Sequence, residues 1–163
     1  MHLHRLMALA GAVIGIVGLF FSGLSTDGEG VLEALSQQSA DFPDGIPTIW
    51  GGLDGWAQVV LVILIIVTVA LAVMPDRLLT YDRTGAGITA VIGVALLAYA
   101  LVKYLDAGDS ADTLEAGFAQ AAAAGVPGVQ AWTVSPSIGF FVLMIGTILV
   151  LAAGAMSLVA NKE

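Results

Sequence analysis

The sequence predicts an all-α integral membrane protein with four transmembrane helices and two acidic loops on one side of the membrane, each loop carrying a short helix. Three observations lead to this prediction. Hydrophobic residues make up 58% of the chain, above the roughly 45–50% apolar content of soluble domains. Four uncharged apolar runs approach the length needed to cross a hydrocarbon core of about 30 Å. A chain of 163 residues is long enough for one domain, so we treat residues 1–163 as a single unit.

The clearest apolar run is the second one, which predicts a helix over residues 56–74. Between Gln58 and Pro75 there is no charge, no glycine and no side-chain amide. At about 1.5 Å per residue this stretch makes a helix on the order of 25 Å long. Pro75 is expected to end it, because the residue before a proline disfavours helix.

The first apolar run predicts a helix over residues 6–24. A basic start followed by an apolar stretch also describes a secretory signal peptide. We expect a retained helix instead, because the run is longer than a signal-peptide core and no A-x-A site follows it.

The remaining two spans are predicted over residues 85–105 and 136–160. Pro136 is well placed at the first position of the fourth span, where its missing N–H is not needed. Both spans contain small residues that offer a packing face, near the start of the third span and along the fourth. Together with the first two spans they give an even number of crossings, so both termini lie on the same side.

Small residues on three spans predict close helix packing. A glycine lets a neighbouring backbone approach, which drives association where no hydrophobic effect acts between helices. We expect these residues to pack within the chain, the first span against the third or fourth, in preference to a dimer interface. The packing candidates are Gly11, Gly15, Gly18, Gly93 and Gly146.

The two long connections, residues 25–55 and 106–135, are acidic. Thr26 to Glu29 has the spacing of a capping box and predicts a short helix after it. Asp112 to Glu115 has the same spacing and predicts a second short helix, ended by Gly125 and Pro127.

Aromatic residues in the connections suit the water–lipid interface or a protein partner. Trp50 and Trp56 are expected at the interface, where amphipathic rings concentrate. Trp50, Phe118 and Trp132 are the candidates for contact with a partner protein.

The basic residues predict the orientation of the chain. Arg5, Arg77, Arg83 and Lys162 fall on one side of a four-span arrangement, whereas the acidic loops fall on the other. The positive-inside rule therefore places both termini in the cytoplasm and the loops outside an inner, or plasma, membrane. Lys103 is the basic residue on the loop side. It is interpreted first as a snorkelling side chain, second as the partner of an acidic loop residue and third as a substrate-binding charge.

Several kinds of chemistry have no candidates in this sequence. There is no cysteine, and the predicted helix interiors contain no Asp, Glu, Arg or His. The two histidines, at positions 2 and 4, lie on a terminus expected to fray. We therefore predict no enzyme, no catalytic residue, no cofactor and no metal centre, and leave open whether the acidic loops bind calcium. A net charge of −8 without a basic cluster also argues against nucleic-acid binding.

Two resemblances to known families follow from layout and short motifs. Trp50-Gly51-Gly52-Leu53 is similar to the first-loop motif of claudin-type tetraspan proteins, although the accompanying cysteines are missing. The junction over residues 81–85 and the Ser135–Phe141 segment resemble small actinobacterial four-helix proteins. One such group comprises accessory subunits beside the permease of mycobacterial Mce lipid importers. This resemblance implies a non-enzymatic role in a larger membrane complex, with the permease as the suspected partner.

Three functional hypotheses remain at this point. The first is an accessory or structural subunit of an inner-membrane assembly, in which the bilayer and a larger membrane protein are the partners. The second is a small carrier or channel that acts as a homo-oligomer. The third is a claudin-like protein that organises the envelope through its acidic loops.

Overall fold

A computed structural model describes residues 1–40, 42–74 and 78–160, and these residues are mostly helical. Within these described ranges, five helices and two very short strands follow one another. They are α1 (Leu3–Leu19), β1 (Leu24–Ser25), α2 (Glu29–Ser36), α3 (Gly55–Val73), α4 (Arg83–Ala123), β2 (Ser135–Pro136) and α5 (Ile138–Ala160).

Three of the helices are long and apolar enough to cross a membrane. They are α3, α4 and α5, with mean hydropathies of 2.8, 2.2 and 2.5 over their most apolar windows. The helix α1 is apolar but shorter, at 17 residues. The predicted class, a helical protein suited to a membrane, is confirmed at this level.

The first helix ends at Leu19, five residues earlier than predicted. The reason is a long-range contact that sequence periodicity does not reveal. The first connection folds back, and the Trp50 backbone N–H donates to the Leu19 carbonyl oxygen at 2.9 Å. The Ile49 N–H likewise donates to the Phe21 carbonyl oxygen at 2.8 Å. In a helix that continued, these carbonyl groups would accept hydrogen bonds from residues of the same helix. Here they accept them from the first connection instead.

The strands β1 and β2 tie the two connections together. They pair antiparallel, with Leu24 opposite Pro136 and Ser25 opposite Ser135. Pro136 therefore lies in a strand and not at the start of the last helix, which begins at Ile138. The Ser137 hydroxyl also donates to the Ser22 carbonyl oxygen.

The prediction of a separate second loop helix is wrong, because α4 runs without interruption for 41 residues. At about 1.5 Å per residue it is about 60 Å long. Between Leu105 and Asp112 the chain has no proline and a single glycine, Gly108, and Lys103 forms an i,i+3 ion pair with Asp106 across the predicted break. The far end is as predicted: Gly125, at φ +73°, follows the helix in a Schellman motif.

The short helix α2 confirms the predicted helix of the first connection, but the capping box is not formed. Gly28 occupies the N-cap, and the Thr26 hydroxyl accepts from the Gly28 N–H at 3.2 Å. A side chain at Gly28 would collide with the Trp132 ring at 2.7 Å. The close packing of this ring explains why a glycine stands at the start of α2.

The core has three parts along the bundle. The helix α5 packs tightly against α1 and α4, whereas α3 packs more sparsely against α1 and α4. One cluster lies among these four helices, a second joins α2 to the outer half of α4, and a third surrounds Tyr81. We call the end with α2, β1 and β2 the loop end, and the end with Tyr81 the opposite end. Three residues named in the predictions lie outside the described residues: Pro75, the predicted helix stop, and Arg77 and Lys162, two of the basic residues that predict the orientation.

Candidate functional site

A cleft of about 510 Å³ lies at the loop end, between the first connection and the long helix α4. Its volume falls within the range of about 300–1,000 Å³ that is usual for small-molecule sites. Its two walls differ in chemistry. The helix α4 contributes the polar wall, and the first connection contributes most of the apolar one.

The polar wall is a stripe along α4 formed by Lys103, Asp106, Ser110 and Thr113. The Lys103 ammonium donates to Asp106 Oδ2 at 3.1 Å. The Ser110 hydroxyl donates to the Asp106 carbonyl oxygen at 2.9 Å, and the Thr113 hydroxyl donates to the Asp109 carbonyl oxygen at 2.9 Å. Both hydroxyl protons are thereby engaged, so their oxygens face a ligand as acceptors, and Lys103 still has N–H groups to donate.

The apolar wall faces this stripe. It consists of side chains from the first connection, and Phe140 of α5 adds an aromatic surface. An arrangement of one polar and one apolar wall suits an amphiphilic molecule. The apolar lining residues include Leu24, Pro43, Ile46, Pro47, Ile49, Leu53 and Phe140.

Two small apolar cavities continue from the cleft into the bundle. The upper cavity, of about 20 Å³, shares Ile49, Leu53 and Lys103 with the cleft. The lower cavity, also about 20 Å³, shares Leu19, Leu61, Leu96, Leu143 and Thr147 with the upper one. Each has about the space of one water molecule, but apolar cavities of this kind stay dry.

The hydroxyl groups beside the lower cavity do not open it to polar solutes. Thr68 donates to the Leu64 carbonyl oxygen at 2.8 Å, and Thr147 donates to the Met144 carbonyl oxygen at 2.9 Å. Both hydrogen bonds stay within the side chain's own helix. The described interior therefore contains small apolar cavities and no polar stripe.

A groove of about 180 Å³ opens sideways between α3 and α4. It shares Leu61, Leu96 and Tyr99 with the upper cavity, so the two are adjacent. The Tyr99 hydroxyl is buried and has no hydrogen-bond partner among residues 1–40, 42–74 and 78–160. Buried hydroxyls are normally hydrogen-bonded, so this one calls for an explanation.

The predicted packing glycines lie where helices approach one another most closely. A methyl group at Gly11 would lie 2.6 Å from the Gly146 carbonyl oxygen, and one at Gly18 would lie 2.6 Å from the Leu143 nitrogen. A methyl group at Gly93 would lie 2.5 Å from Leu151 Cα. Gly15 differs: its backbone faces Gly146, but a methyl group there would meet only Leu143 Cδ1, at an ordinary 3.9 Å.

The aromatic residues predicted to contact a partner are engaged within the chain. Phe118 is fully buried, and its ring meets the Trp132 ring edge-on at 5.3 Å between centroids. Trp50 and Trp132 are half-buried and pack against separate core clusters. Phe118 is therefore not available on the surface of this chain. Trp56, by contrast, is 65% exposed at the start of α3.

Of the three interpretations of Lys103, the structure agrees with the second, pairing with an acidic residue, because Lys103 pairs with Asp106. It also lies 6.0 Å from the centre of the Tyr99 ring, within the range of a cation–π contact. Lys103 lines both the cleft and the upper cavity, so its side chain borders both spaces.

The opposite end holds a polar cluster that sequence reasoning did not find. Arg5 is only 5% exposed, and its guanidinium lies 4.9 Å above the Tyr81 ring. His4, expected on a frayed terminus, is buried with Nδ1 3.0 Å from Ser157 Oγ. Burial raises the pKa of the Tyr81 phenol, while the neighbouring Arg5 charge and Thr89 hydroxyl act in the other direction. In the sequence, one feature could have indicated this cluster: an arginine, Arg5, stands directly before an apolar run.

The acidic loops show no metal centre in the described part of the chain. Within residues 1–40, 42–74 and 78–160, no three His, Asp or Glu side chains come together as a ligand set. Asp41 lies outside these residues.

Comparison with known proteins leaves the function to be argued from this geometry, since no family model, curated protein or solved structure matches the chain. The fold defines the class: a mostly helical protein with three helices suited to cross a membrane.

Proposed function

We propose that this chain is a non-enzymatic accessory subunit of a larger assembly in the plasma membrane, and that it handles an amphiphilic lipid without transforming it. The observation that supports this most is the cleft at the loop end. Its polar stripe on α4 faces an apolar wall formed by side chains of the first connection and by Phe140. This is a surface for holding an amphiphile.

The chemistry of the cleft supports binding more than catalysis. A serine or threonine nucleophile needs an adjacent base to remove its proton. The Ser110 and Thr113 hydroxyls instead donate to backbone carbonyls of their own helix. Lys103 is held by Asp106, so it does not act as a base towards either hydroxyl.

The proposal includes a four-span layout with both termini in the cytoplasm. The helix α1 packs along α5 through close contacts from Gly11 to Gly18, so it runs through the same slab of membrane as α5. Arg5 and Arg83 both lie at the opposite end, and Arg77 and Lys162 extend the same charge pattern outside the described residues. The positive-inside rule then orients the loop end outward.

The resemblance in layout to the accessory subunits of Mce-type lipid importers agrees with this proposal. In such a complex the chain contributes a surface that contacts the partner protein and a surface that contacts lipid. Neither contribution needs a catalytic group. The suspected partner is the permease. An outer face of α3 that is wholly apolar is available to it in the membrane, with Val59, Val62, Ile63, Ile66 and Val73 exposed.

The carrier or channel hypothesis has less support from the interior. A hydrated solute needs a polar path, whereas the described cavities are small and apolar. The envelope-organising hypothesis depends on the acidic loops. The burial of Phe118 removes one of the aromatic contacts predicted for a partner of the accessory subunit, so that partner must be contacted elsewhere.

A purification from native membranes tests the accessory role. We expect a stoichiometric partner, such as a permease, to copurify, and deletion of this chain to lower the partner's abundance or lipid uptake without abolishing its basal ATPase activity. Purification as a homo-oligomer that alone moves a solute across liposomes above the rate of empty vesicles would replace this proposal with the carrier.

A further inference from the structure

The polar groups that line the cleft at the loop end determine what a ligand there must offer. Three acceptors lie on successive turns of α4: the Asp106 carboxylate, the Ser110 oxygen and the Thr113 oxygen. The Ser110 and Thr113 protons are donated to backbone carbonyls of α4, so these two oxygens face the cleft as acceptors. A ligand on this stripe must therefore bring hydrogen-bond donors.

The cleft also has two side-chain donors. Lys103 keeps N–H groups beyond the one in its ion pair. Thr48, on the first connection, accepts from the Gly51 N–H at 3.0 Å, and its own O–H can still donate. The backbone N–H groups of Ile49 and Gly52, which also line the cleft, donate to carbonyls within the chain. A ligand must therefore bring acceptors as well as donors.

The charges around the cleft disfavour a charged headgroup. The Lys103 ammonium is paired with Asp106 at 3.1 Å, so the lining carries one charge of each sign. Asp44 and Asp109 are exposed directly beside lining residues and add negative charge. An anionic head would meet these carboxylates with like charge, and a cationic head would meet the Lys103 ammonium.

Hydroxyl groups satisfy the whole set of polar groups, because each O–H both donates and accepts. A phosphate in its charged form only accepts, so it has no proton for the Ser110 and Thr113 oxygens. An ammonium only donates, so it has no acceptor for Lys103 and Thr48. The polar lining therefore matches a ligand that carries a row of hydroxyl groups.

The cleft begins at the depth of the membrane surface and extends away from it. Leu53 and Lys103 line both the cleft and the upper cavity, so they mark its inner end. Leu53 stands just before α3, and Trp56 is 65% exposed at the start of that helix, as is typical of the depth of lipid headgroups. From Lys103 the polar stripe rises along α4 for about 15 Å to Thr113, which is room for a head of one or two sugar rings.

From this geometry we infer that the cleft binds an uncharged glycosylated lipid through the hydroxyl groups of its sugar. The sugar lies along Asp106, Ser110 and Thr113, and Lys103 and Thr48 donate to its oxygens. The apolar wall of the first connection covers the part of the lipid that joins the sugar to its acyl chains. The chains themselves stay in the bilayer.

This inference deepens the proposed function and rests on it in one respect, that the cleft holds an amphiphile. The test uses the purified full chain without any partner. Selective binding of a different lipid in the cleft would remove the sugar specificity and leave the amphiphile site. The accessory role is tested separately, by the copurification experiment.

The experiment measures lipid retention by native mass spectrometry. The chain is purified in a detergent with a polyether head, because a sugar-headed detergent would compete for the site. It is exposed to equal amounts of glucosyl diacylglycerol, phosphatidylglycerol and a diacyl dimethylammonium-propane lipid, all with identical acyl chains. We expect a single-lipid adduct that favours the glucosyl lipid over each charged lipid by about tenfold, the effect of two net hydrogen bonds.

Substitutions on the stripe test its hydrogen bonds. Ser110→Ala combined with Thr113→Val removes two acceptors and should weaken the glucosyl adduct by about tenfold. Both residues are exposed, so the helix is expected to tolerate these changes. Thr84→Val, at an exposed threonine near the other end of the same helix, is the matched control and should leave the adduct unchanged.

A charge variant tests the selection against anions. Asp106→Asn keeps an acceptor oxygen, so the glucosyl adduct should change little. It also leaves the Lys103 ammonium without its carboxylate, so retention of phosphatidylglycerol should rise. A merely structural role of Asp106 would not change the two lipids differently.

A competition on the unmodified chain keeps the test independent of how the variants fold. Dodecyl maltoside should displace the glucosyl lipid, whereas a dodecyl polyether with the same alkyl chain should not, because its head offers ether acceptors and a single hydroxyl. Equal displacement by the two detergents would overturn the inference. So would preferred retention of either charged lipid by the parent chain, the absence of a one-to-one adduct, or equal effects of the stripe variant and Thr84→Val.

Discussion

Arg5 and Leu71 connect two helices that are far apart in sequence: the Arg5 Nη1 group donates to the Leu71 carbonyl oxygen at 2.9 Å. Arg5 Nε also donates to the Leu79 carbonyl oxygen at 3.1 Å. The start of α1 is thereby joined to the last turn of α3 and to the connection that follows. A guanidinium can make several such bonds in one plane, and an ammonium cannot.

We therefore expect Arg5→Lys to lower the free energy of unfolding by about 1–3 kcal/mol, although it keeps the charge. Thermal unfolding in detergent measures this loss. Arg83→Lys is the matched control, because Arg83 is exposed at the same end, and it should change little. Equal effects of the two substitutions would mean that the guanidinium bonds contribute nothing beyond charge.

The glycines of α1 make a second prediction. Gly11→Ala places a methyl group 2.6 Å from the Gly146 carbonyl oxygen, so α1 and α5 must move apart. Overpacking of this kind costs about 1–3 kcal/mol. Gly15→Ala points its methyl group towards the lower cavity, where the nearest atom is 3.9 Å away. It should leave the unfolding temperature unchanged or raise it, since alanine is the better helix former. The same loss at both positions would contradict this account of the packing.

Glu115 makes a third prediction, about the layer at the loop end. Its Oε2 accepts a hydrogen bond from the Val134 backbone N–H at 2.9 Å, which fastens the second connection to α4. Glu115→Ala leaves that half-buried N–H unpaired and should cost about 1–2 kcal/mol. Glu115→Gln retains an acceptor oxygen and should cost less.

Hydrogen exchange at the Val134 amide tests the Glu115 prediction directly. We expect faster exchange in Glu115→Ala than in Glu115→Gln. Asp112→Ala, an exposed acid one turn away, is the control and should leave the Val134 amide protected. Unchanged exchange in Glu115→Ala would show that the hydrogen bond does not hold the connection.

The apolar spans were predictable because a bilayer forces backbone groups to pair within a helix. The predicted span over residues 56–74 differs from α3 by one residue at each end. The apolar run sets the length of this helix, which a sequence shows directly.

The errors arose where distant segments compete for the backbone. The end of α1 involves residues about thirty positions later: Trp50 donates to the carbonyl of Leu19, the last residue of the helix, and Ile49 donates to the carbonyl of Phe21 just beyond it. The unbroken α4 was a different error: capping-box spacing at Asp112 was read as a helix start, but no helix breaker precedes it. The Glu115 side chain bonds to Val134 instead.

The candidate site was predictable only in part. Lys103 stood out in the sequence as the basic residue near the acidic loops, and its i,i+3 spacing to Asp106 was visible. The apolar wall of the cleft comes from the folded first connection, which no periodicity describes. The unpartnered Tyr99 hydroxyl depends on how sparsely α3 packs against α4, which is a property of the tertiary structure.

The fourth prediction concerns orientation. The proposed topology places Gly45 outside the cytoplasm and the C-terminus inside, because Arg5 and Arg83 mark the cytoplasmic end. A reporter enzyme active only outside the cytoplasm is inserted at Gly45 or fused after Glu163. Gly45 suits an insertion, since nothing lies within 4 Å of a side chain built there. We expect activity at Gly45 and none at the C-terminus.

A cytoplasmic reporter at the same two positions should give the reverse pattern, which guards against a fusion that simply fails to fold. The pair alone does not distinguish three crossings from four, because α3, α4 and α5 separate Gly45 from the C-terminus in both cases. If α1 did not cross the membrane, the chain would have three crossings, and Gly45 and the C-terminus would lie on opposite sides with Met1 on the side of Gly45. A third reporter at the N-terminus therefore separates the cases, because four spans place Met1 with the C-terminus. Activity of the external reporter at both Met1 and Gly45 would remove α1 from the membrane-spanning set.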